Sequence, residues 1–481
     1  MSEKRYFKIF SARHTIGDQN KYVLLFDLLD RAKTEDEEFL KKKLRENEIG
    51  SRFLAADKNY LYQLILRGLS SYYTSKTMNL ETKEVLIGVE ILFNKGLYKE
   101  CVKLIQRGEK VALDCENYQL MIDLLIWKKK CAGYSAGLAE AAKINDAIDT
   151  HLKMLTHIKE VTNLYYKSYA LLIGNEKYRG KMVRRSFKKI MSSPELKTER
   201  KPLCFTANVY LKLIRANYHH VEGEKIKEMR VLQQLVEGLR ASPTYAHENP
   251  LDFVSIYNRL LELEKYYGGE TFFGHIKNLR GFAEKASINK EYIAKRVYVH
   301  TNTHLVEYYV LQNDIDNADK LCAQIENEVG KIDQGIEPFH LIYFYYMRIV
   351  AMIFASKYHK ALKYTNRVLH DFTLGDRPQV FMRIEFLNLV IHFELKNYEL
   401  VRSLRTELIS SDNKMRILLL AERDILEVLY TIAKVDAITK KQEQKLFRSL
   451  LEKLKAHTTK NTASPDLLME SYIRWVRAKT N

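Results

Sequence analysis

The chain has 481 residues, of which 46% are apolar, and its 19 Gly and 7 Pro are few for that length; this favours long helices over strand-and-turn folds. Its charge is +18, from 78 Lys and Arg against 60 Asp and Glu. That balance favours acidic partners such as nucleic acid, an anionic membrane or an acidic protein, although a modest Lys excess is also common on the outside of helical proteins. Five cysteines (Cys101, Cys115, Cys131, Cys204 and Cys322) are widely spaced, with no Cys-x-x-Cys. They fit neither a disulfide framework nor a zinc site and point to a reducing compartment. The start, MSEKRYFKIFSARH, lacks the apolar core of a signal peptide. The most apolar run, Leu341 to Phe354, is short for a membrane span and contains Arg348. A cytoplasmic protein without membrane insertion is expected. The length suits roughly two to four ordinary domains or one extended repeat array.

Residues 1–75 read as a helical N-terminal module. Tyr22 to Lys33 carries Val23, Leu24, Phe26, Leu28 and Leu29, and Lys58 to Tyr73 is amphipathic. Between them, the acidic run Thr34 to Glu38 suits a helix start, and Lys41, Lys42, Lys43 and Arg45 suit its end. The module invites comparison with a DNA-binding head, but it has no helix–turn–helix with a glycine turn and a polar recognition helix.

Residues 76–175 read as helical hairpins ending in a long helix. Val85 to Phe93 is apolar, Gly96 to Cys101 turns, and Val102 to Leu113 follows. Tyr118 to Lys130 begins another helix, and 136–173 is longer than a usual repeat helix. Residues 176–201 form a basic helical or linker segment: 174–201 holds ten basic residues against three acidic ones. Arg179, Lys181, Arg184, Arg185, Lys188 and Lys189 form a candidate patch for phosphates or an acidic partner; the simpler reading is a solvated helix face. The stretch is not a phosphate-binding loop. Gly174 and Gly180 stand one residue too far apart, and Met182 replaces the required Ser or Thr.

Residues 202–456 read as consecutive helix pairs, with breaks near Val221, Gly268-Gly269, Asn313-Asp314, Lys357-Tyr358, Asn397-Tyr398 and Asp436. The spacing is roughly 40 to 48 residues, the range of stacked helical repeats. The most explicit stretch runs from Phe339 to Ile409. Its helices, 339–354, 359–372, 377–395 and 399–409, break at 356–358, Gly375 and 396–398. Each such pair is too small to bury its own apolar face and needs neighbours. Residues 457–481 read as a linker and a C-terminal capping helix to Lys479, opened by Ser464-Pro465-Asp466 as N-cap and first-turn proline.

At the turns the chain resembles the tetratricopeptide-like superfamily of helical repeats. The resemblance rests on Gly96, Tyr98 and Cys101; Ile315 and Ala318; Tyr358, Ala361 and Leu362; and Tyr398 and Val401. It covers 80–115 and 290–456. The repeats exceed the usual length, and the first helices lack the family's Trp-Leu-Gly signature. The resemblance implies an all-α, right-handed α-solenoid of antiparallel helix hairpins that holds partner proteins on a concave surface.

Chemistry is sparsely signalled. His300 and His304 stand four apart with Glu307 beyond, a spacing able to place two imidazoles on one metal. A zinc protease's Glu beside the first His is missing, and structural histidines are the simpler reading. His219-His220 is adjacent and points two ways. No nucleophile-elbow, dinucleotide or kinase motif occurs, so neither catalytic residues nor a cofactor is expected. Tyr298, Tyr308, Tyr309, Tyr343, Tyr345 and Tyr346 recur in successive first helices and form a candidate recognition surface. Packing between helices is the simpler reading for most of them. Lys295, Arg296 and Arg348 among them would also suit single-stranded nucleic acid. The expectation is a non-enzymatic scaffold, adaptor or regulator that binds one or more proteins or peptides, acidic ones favoured by the charge. A nucleic-acid-binding regulator on the same scaffold is the alternative.

Overall fold

The computed structural model describes residues 3–12, 21–31, 37–46, 53–74, 76–135, 138–173, 181–197, 202–286, 289–328, 335–373, 378–409, 418–435, 438–458 and 467–480. Among these residues all regular structure is helical. The helices are α1 (Glu3–Ala12), α2 (Lys21–Arg31), α3 (Glu37–Glu46), α4 (Leu54–Thr74), α5 (Met78–Asn94), α6 (Tyr98–Asp114), α7 (Tyr118–Ser135) and α8 (Leu138–Ile173). There follow α9 (Lys181–Met191), α10 (Phe205–Glu222), α11 (Lys225–Ala241), α12 (Pro243–Glu248), α13 (Pro250–Glu264), α14 (Gly269–Lys285), α15 (Lys290–Leu311) and α16 (Ile315–Glu326). The last are α17 (Pro338–Phe354), α18 (Tyr358–Asp371), α19 (Pro378–Glu394), α20 (Tyr398–Ile409), α21 (Leu420–Lys434), α22 (Lys440–Thr458) and α23 (Leu467–Lys479). None of them is long and apolar enough to cross a membrane. The expected helix end at Gly375, the break at Asp436 and the cap Ser464-Pro465-Asp466 lie outside the described residues, as do Thr34 to Asp36 of the acidic run.

One turn recurs along the chain. At Gly96, Glu116, Gly223, Asn313, Ser356 and Lys396 a single residue takes positive φ, from 52 to 77°. The next N–H then reaches back to a carbonyl five residues earlier: Leu97 to Leu92, Asn117 to Ala112, Glu224 to His219, Asp314 to Tyr309, Lys357 to Met352 and Asn397 to His392, at 2.8–3.0 Å. This is the Schellman closure, which satisfies orphan carbonyls and restarts a helix at once. Four residues further on, Cys101, Ala318, Ala361 and Val401 are fully buried, and at the other two turns Met121 and Glu228 take the same buried place. The break expected near Val221 falls two residues later, at Gly223, where glycine adopts the left-handed region without a Cβ penalty.

Contacts follow the order of the chain. α15 packs on α16 and α17, α17 on α18 and α19, and α19 on α20 and α21; α5 packs on α6 and α7 in the same way. This all-helical arrangement is compatible with a helical repeat. The chain divides into two compact units: residues 1–162, 201–208 and 243–248 form one, and 163–200, 209–242 and 249–481 the other. In the first, separate cores form within α1–α4 and α5–α8; in the second, one apolar cluster runs from α15 to α23. All five cysteines are buried, and none of them forms a disulfide among the described residues.

Candidate functional site

In the second unit, α11, α13, α14 and α15 enclose an open cleft of about 830 Å³. Its apolar floor comes from Phe253 and Tyr257 on α13, Ile276 and Phe282 on α14, and Leu305 and Tyr309 on α15. Phe253 stacks on Phe282 at 4.0 Å between centroids and lies 4.7 Å from Tyr257. These ring faces are therefore already covered, and the floor presents edges. Phe273, held edge-on to Tyr308 at 5.2 Å, is the exposed ring at the rim. Gly281 gives the cleft its depth, since a Cβ there would meet nothing within 4 Å. Gly268 has the opposite role. A Cβ there would stand 2.7 Å from the Tyr308 ring, so the turn into α14 requires glycine.

The rim is basic. Arg240 comes from α11, and Lys277, Arg280 and Lys285 lie along α14, against one acid, Glu284. Arg280 is fixed, donating to Thr301 Oγ1 at 3.1 Å and Asn302 Oδ1 at 3.0 Å. Among the described residues no carboxylate pairs with Arg240, Lys277 or Lys285. Tyr257 is 0% exposed and its hydroxyl has no hydrogen-bond partner. Burial pushes that hydroxyl up to about 12 against the opposing charge of Arg240, so it is a neutral donor. A buried hydroxyl without a partner costs about 1–3 kcal/mol. Unpaired cations around an apolar floor suit an acidic ligand with an apolar anchor.

A second polar cluster lies on α13, α15 and α17. The Lys265 ammonium, 1% exposed, bonds Glu307 Oε2 and Glu262 Oε1, each at 2.8 Å. Tyr343 donates to Glu307 Oε1 at 2.5 Å, and His304 Nε2 meets Asn258 Oδ1 at 2.9 Å. Burial by itself would lower the Lys265 pKa, but Glu262 and Glu307 outweigh it and raise it. Burial would likewise raise Glu307, yet Lys265 and then His304 hold it well below the usual carboxylate range. Glu262, His304 and Glu307 bring ligand atoms within 4.8 Å of one another, a grouping able to hold a metal ion. The carboxylates already grip the Lys265 ammonium, so the cation of this cluster is the protein's own. A protonated lysine has no lone pair and acts as neither nucleophile nor base.

The residues singled out in the sequence are dispersed. Tyr309 lines the cleft, and Tyr308 supports its rim through Phe272 and Phe273. Tyr343 belongs to the ion cluster. Tyr298 is half-buried, and its carbonyl accepts from Asn302. Tyr345 and Tyr346 are 0% and 2% exposed in the core and offer no surface. His300 packs against His340 at 4.7 Å rather than joining His304. His219 and His220 part to different carboxylates, Glu224 and Glu228. On α9, Val183 and Phe187 are buried while Arg184, Arg185, Lys188 and Lys189 are exposed. Arg179 lies outside the described residues, and of Lys181 only the backbone is described.

Sequence reading missed Arg240, Lys277, Arg280 and Lys285. The spacing of Lys277, Arg280 and Glu284 along one helix face was the available signal, but nothing local marks a face as lining a cleft. Comparison with protein-family models, with curated proteins and with solved structures finds no match.

Proposed function

We propose that this chain is a non-enzymatic scaffold, adaptor or regulator, built as a tetratricopeptide-like right-handed solenoid of antiparallel hairpins, that binds a protein partner. The observation carrying this reading is the cleft of α11, α13, α14 and α15. Its apolar floor buries a partner's side chain, and its Arg240, Lys277 and Lys285, with no carboxylate partner among the described residues, attract acidic groups. The recurring Schellman turns and the contact order of α15 to α21 support the repeat reading. The test is a tagged pulldown from lysate, split into nuclease-treated and untreated halves, with wild type beside Gly281→Leu. Protein partners that survive nuclease and are lost with Gly281→Leu support the reading. Retention of every partner by the filled cleft sinks it.

A nucleic-acid-binding regulator is the second reading. It is favoured by Arg184, Arg185, Lys188 and Lys189, which are exposed on α9 with no carboxylate partner among the described residues. Nuclease would then remove all co-purifying material, and affinity would fall steeply with salt. The covered ring faces in the cleft disfavour base stacking there.

A further inference from the structure

The C-terminal helix α23 packs on α22 and also lies across the earlier helices of the second unit. Its Tyr472 and Trp475, 6% and 8% exposed, line one small void with Tyr346, Ile353 and Phe354 of α17, Phe386 and Val390 of α19, and Ile425 of α21, and Tyr472 lies edge-on to Phe386 at 5.8 Å. A helix that only closed the end of a stack would touch the last pair. This one reaches α15, where Arg474 Nη1 donates to the Val310 carbonyl at 3.1 Å and Asn313 Oδ1 at 2.9 Å. Three further polar anchors flank the apolar contact. Tyr472 donates to Glu422 Oε1 at 2.7 Å, Trp475 Nε1 to Glu394 Oε1 at 2.7 Å, and Lys479 Nζ to Glu394 Oε2 at 2.6 Å.

The fit beneath α23 is incomplete. A void of about 30 Å³ remains under it, and Ser471 is the one residue in its lining that is neither aliphatic nor aromatic. Elsewhere the same helices bury Phe344, Ile349, Ile384 and Leu389 completely. The chain thus fills this core with large side chains and places a hydroxymethyl group where a branched aliphatic would fit. An apolar void of this kind forgoes dispersion contacts on every wall. The anchors also belong to a general chemistry. A cation over the last carbonyls of α15 and another on Glu394 are contacts that any helix with basic residues at those places reproduces.

We propose that α17, α19 and α21 form a helix-binding groove in which α23 is a displaceable resident. Its partner is an amphipathic helix with two large apolar residues three apart, a branched aliphatic in the place of Ser471, and a basic residue near its C-terminus. Recognition is by a helix laid in a groove. As part of the same chain, α23 competes at high effective concentration, so apparent affinity for the partner falls by the fraction of molecules in which the groove is open. A partner that fills the void gains contacts α23 lacks and shifts that fraction. This groove is distinct from the cleft of α11, α13, α14 and α15, and it stands or falls separately from that cleft.

The test uses the full-length chain and a fluorescein-labelled synthetic peptide of residues 467–480, read by anisotropy. Tyr472→Ala/Trp475→Ala in the chain weakens the resident and is expected to tighten peptide binding at least ten-fold over wild type. Ser471→Leu in the chain improves the resident and is expected to weaken peptide binding several-fold with unchanged helical circular dichroism. The same substitution in the peptide is expected to tighten it on the opened chain. Equal binding by wild type and Ser471→Leu chains overturns the proposal even where the double variant fails to fold. Absence of binding by either peptide to any folded chain overturns it too.

Discussion

The second unit holds two groups of charges about one helix apart, and they have opposite fates. Around Lys265 the charges are answered: the buried ammonium and the buried Glu307 carboxylate close on each other with a phenol, an imidazole and an amide, and the half-exposed Glu262 completes the group. Along α14, Lys277 and Lys285 are exposed with no carboxylate partner among the described residues, above an apolar floor. Burial forces compensation, because an uncompensated charge in a low-dielectric interior costs several kcal/mol. Exposure removes that pressure, so unpaired charge persists at little cost and stays available to a ligand. The first group therefore serves the fold, and the second is the surface we propose for a partner.

The largest effect should come from breaking the paired group. Lys265→Met leaves Glu307 buried without its cation and is expected to cost about 3–5 kcal/mol, seen as a drop in thermal midpoint. Lys265→Met/Glu307→Leu should recover part of that loss, whereas a double variant no better than the single would show that the pair is not coupled. Acid should act on the same group more gently. The Glu307 pKa is depressed in the folded state, so its contribution is present above the unfolded carboxylate value and is lost as pH falls through the folded one. Denaturant midpoints should therefore drop below about pH 4.5, and Glu307→Gln, less stable at neutral pH, should lose less there than wild type.

Substitutions in the unpaired group should leave stability nearly unchanged and alter binding instead. Gly281→Leu places its side chain in open space on a helix, so it should hold or raise stability by up to about 1 kcal/mol while abolishing partner capture. A clear loss of stability would mean the cleft is a packing surface. The smallest effects belong to Lys277→Ala and Lys285→Ala. Both are exposed, and the measurement is association rate against salt: each should slow binding several-fold at low salt and little at high salt. Salt-independent binding in wild type would remove the electrostatic argument.

Much of the fold was legible in the sequence. Apolar periodicity located α17 to α20 within a residue or two; the expected start of α19 at Arg377 lies outside the described residues. The turn residues at Gly96, Asn313, Lys357 and Asn397 marked where helices restart, because a Schellman closure needs only local hydrogen bonds. Tyr309 was also found, as one tyrosine in a recurrent stripe. Its neighbours Tyr345 and Tyr346 carry the same local signal and lie in the core. The difference is set by α18 and α19 packing over them, and residue type does not encode that.

Helix positions, the recurrence of one turn, and the absence of disulfide or zinc spacing were thus determined by the sequence, since each depends on contacts within a few residues. Three things were decided only by tertiary structure. One is which cations remain unpaired on α14, and a second is which His and Glu gather around Lys265. The third is that α23 reaches back as far as Val310 instead of covering only the last pair. The last two rest on contacts 36 to 164 positions apart, and a local pattern carries no information about which distant surface a helix face will meet.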